Sequence, residues 1–138
     1  MGRKTISPCR CMSITLYFRL TESELLSFPL IVSLDFHSEI IDTDFGYFKA
    51  KIIFQDNSKL FLFELVEILN EKRQIEKYRY HYQGANEKMI FRWDNAPHFQ
   101  KIKSFPHHIH IGNKVKESVH PSWDEIFLQV INHIEKEK

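Results

Sequence analysis

The chain has 138 residues, 43% of them apolar and 14% aromatic, with four glycines and five prolines. That suits one folded domain and excludes a long disordered linker. Its net charge of +1 with neutral histidines excludes a global basic field, although a balanced total leaves room for a local basic face.

No run of about 18 apolar residues exists to cross a membrane. No apolar segment of a secretory signal follows Arg3, Lys4 and Arg10. Cys9 and Cys11 lie one residue apart, too close to staple a fold and too few to hold a soft metal. The chain therefore reads as cytoplasmic. Residues 1–11 lack apolar periodicity and read as a disordered or non-native extension, with Met12 as an alternative start. Residues 12–138 read as a single α+β domain.

Thr21 and Glu24 have the spacing of a capping box, which predicts a short helix over 22–28 ended by Pro29. Residues 30–41 are β-branched and aromatic and read as a strand, followed by a turn over 42–46. Strands over 47–55 and 59–69 flank Asp56-Asn57-Ser58, which has hairpin chemistry. The second of these is apolar on both faces except for Glu64 and Glu67, the pattern of a central strand carrying a carboxylate. Residues 71–76 read as a charged turn or bulge. A second hairpin pairs 77–83 with 88–94 around Gly84-Ala85-Asn86. On its strands Tyr78, Tyr80 and Tyr82 share one face and Arg79 and His81 the other, while Arg92 and Asp94 lie opposite Phe91 and Trp93. If the aromatic faces pair, Arg79, His81, Arg92 and Asp94 are co-facial. Residues 105–111 form a last strand or extended edge, and Gly112-Asn113 turns the chain. Ser122 and Glu125 make another capping box before a helix with a stripe of Phe127, Val130, Ile131 and Ile134. The expected architecture is an antiparallel, meander-like sheet of about five or six strands packed by this C-terminal helix.

Five of the eight histidines fall between His81 and His110. His108 and His110 share a strand face, with His107 opposite. Histidine exchanges protons near neutral pH or, as the neutral ring, binds a metal. Arg79 and Arg92 can clamp a phosphate through paired N–H donors and would repel a metal. Glu64 and Asp94 can orient or ligate a histidine. This combination fits metal-independent RNA cleavage: a base takes the 2′-hydroxyl proton, an acid protonates the leaving oxygen, and cations stabilise the charge on phosphorus. The proton-transfer candidates are His81, His108 and His110, with His98 as a further candidate. The tyrosine stripe reads as packing in preference to a base-stacking platform.

The runs Tyr78-Arg79-Tyr80-His81-Tyr82-Gln83, Phe91-Arg92-Trp93-Asp94-Asn95-Ala96-Pro97-His98 and Phe105-Pro106-His107-His108-Ile109-His110 resemble the TumE-type toxin family of prokaryotic toxin–antitoxin pairs. Phe61-Leu62-Phe63-Glu64 and the Pro121-Ser122 helix start extend the resemblance over roughly residues 21–135. It implies a small cytosolic toxin made beside an antitoxin, typically a helix-turn-helix DNA-binding protein. Two positions depart from the family pattern: Phe99 stands where a second histidine is common, and Ile109 where a lysine is common.

The leading expectation is a toxin acting on RNA as a small endoribonuclease without a cofactor. One alternative is a non-catalytic interaction protein whose histidines form a polar core or partner surface. Another is a hydrolase holding zinc or another divalent metal on His108, His110 and His98. RNA, the antitoxin and a second copy of the chain are the candidate partners; a membrane is not.

Overall fold

A computed structural model describes residues 13–137. Helix α1 (Ile14–Leu26) is followed by seven strands and a second helix. The strands are β1 (Ile31–Asp42), β2 (Phe45–Phe54), β3 (Lys59–Leu69), β4 (Lys72–Gln83), β5 (Met89–Asp94), β6 (His108–Ile111) and β7 (Lys114–Glu117). Helix α2 (Trp123–Lys136) closes the chain. Each strand pairs antiparallel with its successor, so the sheet is a seven-stranded meander in the order β1 to β7. The predicted α+β architecture is present, with one or two strands more than expected.

The extra strand is β7. Gly112, with a φ of 58°, and Asn113 form a two-residue hairpin turn, and Lys114–Glu117 pairs back on β6. Its charged residues suit an exposed sheet edge. Strand β4 also starts earlier than expected. Asn70 and Glu71, both at positive φ, make the tight turn, and the charged stretch after them is strand. The bulge predicted there sits at Glu76, where the register steps from Leu65 opposite Lys77 to Val66 opposite Ile75.

Helix α1 begins eight residues before the expected start. Ser13 is the N-cap, its hydroxyl accepting from the Leu16 amide at 3.0 Å. Thr21 lies inside the helix, its hydroxyl donating to the Tyr17 carbonyl at 2.8 Å, so it does not cap. Ile14, Tyr17, Phe18, Thr21 and Leu25 form the buried stripe, and the packing of this stripe outweighs the local capping signal. In α2 the predicted cap is realised, with the Ser122 hydroxyl accepting from the Glu125 amide at 3.1 Å.

Both helices contribute to the core on one face of the sheet. Phe18 meets Phe48 edge-on, and Phe127 stacks on Phe28 at 4.0 Å and meets Phe54 edge-on. Tyr78, Tyr80 and Tyr82 are fully buried there. The alternation of each strand then commits the opposite, outer face to Lys49, Lys51, Phe61, Phe63, Arg79, His81, Arg92, Asp94, His108 and His110.

Gly46 permits the tight approach of β1 and β2. A Cβ there would collide with the Glu39 carbonyl oxygen and press on Ile40 and the Phe18 ring. Gly46→Ala is expected to destabilise the fold by about 1–3 kcal/mol, read from urea denaturation midpoints. An unchanged midpoint would show that β1 can shift freely.

Candidate active site

Two rows of side chains cross strands β4, β5 and β6 on the outer face. Arg79, Asp94 and His108 form one row; His81, Arg92 and His110 form the other. The loop 95–107 brings His98 and Phe99 over these rows. With Phe63, Lys77, Tyr78 and Ala96, these two residues and the rows apart from His81 line a cleft of about 490 Å³. Phe99 meets the rings of His108 and His110 edge-on, at 4.9 and 5.7 Å. Phe99, one of the two residues that depart from the family pattern, therefore packs the wall of the cleft.

The centre is Asp94, His108 and His110. His108 Nε2 lies 2.9 Å from Asp94 Oδ1 and 3.1 Å from His110 Nε2, and His110 Nε2 lies 3.5 Å from Asp94 Oδ2. His108 is buried, and its Nδ1 donates to the Pro106 carbonyl at 3.0 Å. Both of its ring nitrogens therefore face acceptors. The doubly protonated ring satisfies that arrangement, and so does a cation placed at Nε2. Asp94 is held from behind by the Ala96 amide, which donates to Oδ1 at 2.9 Å. His110 is only partly buried, and its Nδ1 has no hydrogen-bond partner among the described residues. Burial lowers the His110 pKa; the Asp94 charge opposes this, while His108 and Arg92 add to it. The ring is thus biased toward the neutral form that accepts a proton.

His81 has a different place. Its Nε2 meets Gln83 Oε1 at 3.1 Å, and its Nδ1 accepts from Arg92 Nε at 3.2 Å. Burial lowers its pKa, the Gln83 bond opposes this, and Arg92 and Arg79 lower it further. Both ring nitrogens are thus engaged, and the ring holds the Arg92 side chain. Arg79 is exposed on the rim, with Lys77 beside it. Lys77 and Gln83 stand outside the candidate set read from the sequence, although period two from Arg79 and His81 puts both on the outer face. His98 lines the cleft and stands apart from the convergent Asp94, His108 and His110 donors.

Glu64 lies on the inner face, away from these histidines. It is buried, and accepts from the hydroxyls of Tyr17 and Tyr80, each at 2.5 Å. Burial raises its pKa against the opposing pull of both hydroxyls and Arg73. Tyr80 also meets His120 Nε2 at 2.9 Å, and Tyr78 meets His107 Nδ1 at 2.9 Å. This second network ties the segment before α2 to the sheet.

Burial, reinforced by His107 and Arg73, lowers the His120 pKa to about 4. The folded value lies below the unfolded value of about 6.5. Its contribution to stability is therefore complete above the unfolded value and is lost as pH falls toward the folded one. The Tm is expected to drop between pH 7 and pH 4.5, with a shallower slope in His120→Gln. Equal slopes in the two proteins would remove His120 as the cause.

Among the described residues, no helix is long and apolar enough to cross a membrane. The Cys9–Cys11 pair and the proposed N-terminal extension lie outside the described residues. No curated protein matches the chain, and neither does any solved structure. A family model described as Toxin TumE matches residues 20–138, which take in the second half of α1, the whole sheet, the histidine-lined cleft and α2. On that match the chain belongs to the TumE family, the toxins of a toxin–antitoxin system.

Proposed function

We propose that this toxin acts on RNA as a small, metal-independent endoribonuclease. The observation that carries the reading is the partly exposed His110, backed by the buried His108–Asp94 pair in a cleft rimmed by Arg79, Arg92 and Lys77. His110 takes the proton of a 2′-hydroxyl, and the oxygen attacks the adjacent phosphorus. The 5′-oxygen leaves with a proton from an acid, for which His98 on the same cleft is the candidate. The product ends are a 2′,3′-cyclic phosphate and a 5′-hydroxyl. Arg92, held by His81, and Arg79 meet the phosphate oxygens as charge builds on them.

The test is purified toxin on RNA, with and without a chelator, followed by mapping of the ends. Cleavage that persists in chelator, leaves cyclic phosphates and falls about 10²- to 10⁴-fold in His110→Ala is expected. RNA left intact under both conditions, by a protein that remains toxic, would sink the reading and favour a non-catalytic toxin. The cognate partner is inferred to be a helix-turn-helix antitoxin, to be checked by co-purification with the product of the adjacent reading frame.

A second reading has its own observation. One donor atom from each of Asp94, His108 and His110 lies within 4.8 Å of the others. The Pro106 carbonyl fixes the His108 tautomer, as a backbone partner does in many metal sites. The two imidazole nitrogens, 3.1 Å apart, stand close to the edge of about 3.3 Å expected for tetrahedral zinc with ligands at about 2.0–2.1 Å, and each has an Asp94 oxygen nearby, Oδ1 at 2.9 Å from His108 and Oδ2 at 3.5 Å from His110. Asp94 takes the place in this set that the sequence had offered to His98. Nearby Arg92 opposes a cation. About one zinc per chain, with cleavage abolished by chelator, would transfer the function to this reading.

A further inference from the structure

The outer face continues past the cleft. Row by row, His37, Lys49 and Phe63 lead to Arg79, and Asp35, Lys51 and Phe61 lead to His81. Phe61 and Phe63 are half-buried where alternation gives them no helix to cover them, while the inner-face residues of the same strand are buried. Lys49 and Lys51 are exposed beside them, and the Lys51 ammonium sits 6.0 Å from the centre of the Phe61 ring. These residues line a groove of about 280 Å³, and Phe63 and Arg79 line both this groove and the catalytic cleft. Groove and cleft are thus one continuous surface. From β2 to β6 it crosses four strand spacings, about 19 Å.

We propose that Phe61 and Phe63, between Lys49, Lys51 and Arg79, form a track that binds single-stranded RNA and leads it into the Asp94–His108–His110 cleft. The inference rests on the RNA reading and adds the substrate class: single strands in preference to duplex. Every unpaired base offers a ring face to an aromatic side chain, whereas paired bases are stacked within the helix. The lysines and Arg79 follow the phosphates, which makes binding salt-dependent. Asp35, on β1 beyond Lys51, opposes phosphate and bounds the track at the sheet edge.

The test is fluorescence anisotropy of a labelled, mixed-sequence 12-nucleotide RNA and its duplex, with full-length protein carrying His110→Ala so that binding is read without cleavage. The single strand is expected to bind at least tenfold more tightly than the duplex and to weaken with added salt. Phe61→Ala with Phe63→Ala is expected to weaken it at least tenfold. Lys49→Glu with Lys51→Glu, at exposed positions outside the core, is expected to do the same. Equal affinity for strand and duplex, or no effect of the lysine pair, would overturn the track. So would a lysine pair that impairs only binding of the antitoxin, since the face would then be a protein interface. Tight single-strand binding by a wild-type protein that cuts no RNA would overturn the nuclease and leave the track standing.

Discussion

Asp94→Asn is expected to lower RNA cleavage about 10²- to 10⁴-fold while leaving the fold in place. Asparagine keeps the shape of the side chain and one acceptor oxygen. That oxygen can still serve the Ala96 amide and His108, whose contacts to Asp94 Oδ1 are both 2.9 Å. The other position becomes an N–H donor facing His110 Nε2, where the carboxylate oxygen stood at 3.5 Å. The charge that balances two close histidines is lost, and the polarity of one hydrogen bond is reversed. The reversed bond pushes His110 into the wrong tautomer for accepting a proton, and without the charge the imidazolium that forms is no longer stabilised, the way an asparagine substitution disables an otherwise intact site. The measurements are kcat and the pH–rate profile, with a thermal melt to establish folding. A loss of less than threefold would place the chemistry elsewhere in the cleft.

Glu64→Ala is expected to act on stability and leave cleavage per folded molecule alone. Glu64 is 1% exposed and is the acceptor for both Tyr17 and Tyr80. Its removal leaves two hydroxyls inside the protein without that partner, at a cost of roughly 1–3 kcal/mol each. The combined loss, ~2–6 kcal/mol, is a large part of the ~5–15 kcal/mol that holds a domain together. Glu64→Gln keeps an acceptor for one tyrosine and should lose less. Denaturation midpoints give the order wild type, Gln, Ala; kcat measured on the folded fraction should be the same for all three. A fall in kcat that exceeds the loss of folded protein would connect Glu64 to the cleft on the other face.

These two carboxylates show how far the chain could be read on its own. Asp94 is two residues after Arg92 on a strand whose alternate positions are Phe91 and Trp93, so its face follows from local geometry. Its meeting with His108 and His110 does not. That depends on β6 pairing with β5 across the loop 95–107, in a register that sets Asp94 opposite His108 and Arg92 opposite His110. Glu64 alternates with Phe61, Phe63 and Leu65, but a strand apolar on both faces carries no local mark of which face the helices cover. Only the packing of Tyr17 from α1 and Tyr80 from β4 put Glu64 on the inner side.

The sequence by itself determined six of the seven strands, the hairpin turns, the Ser122 cap and the co-facial set of Arg79, His81, Arg92 and Asp94. Each of these depends on residues a few positions apart. The tertiary structure decided the start of α1, the division of the histidines between two networks and the engagement of His81 with Arg92. It also decided the continuity of the aromatic groove with the cleft. Those depend on which distant surfaces bury one another, and the free energy of that burial overrides a local signal such as the capping box at Thr21.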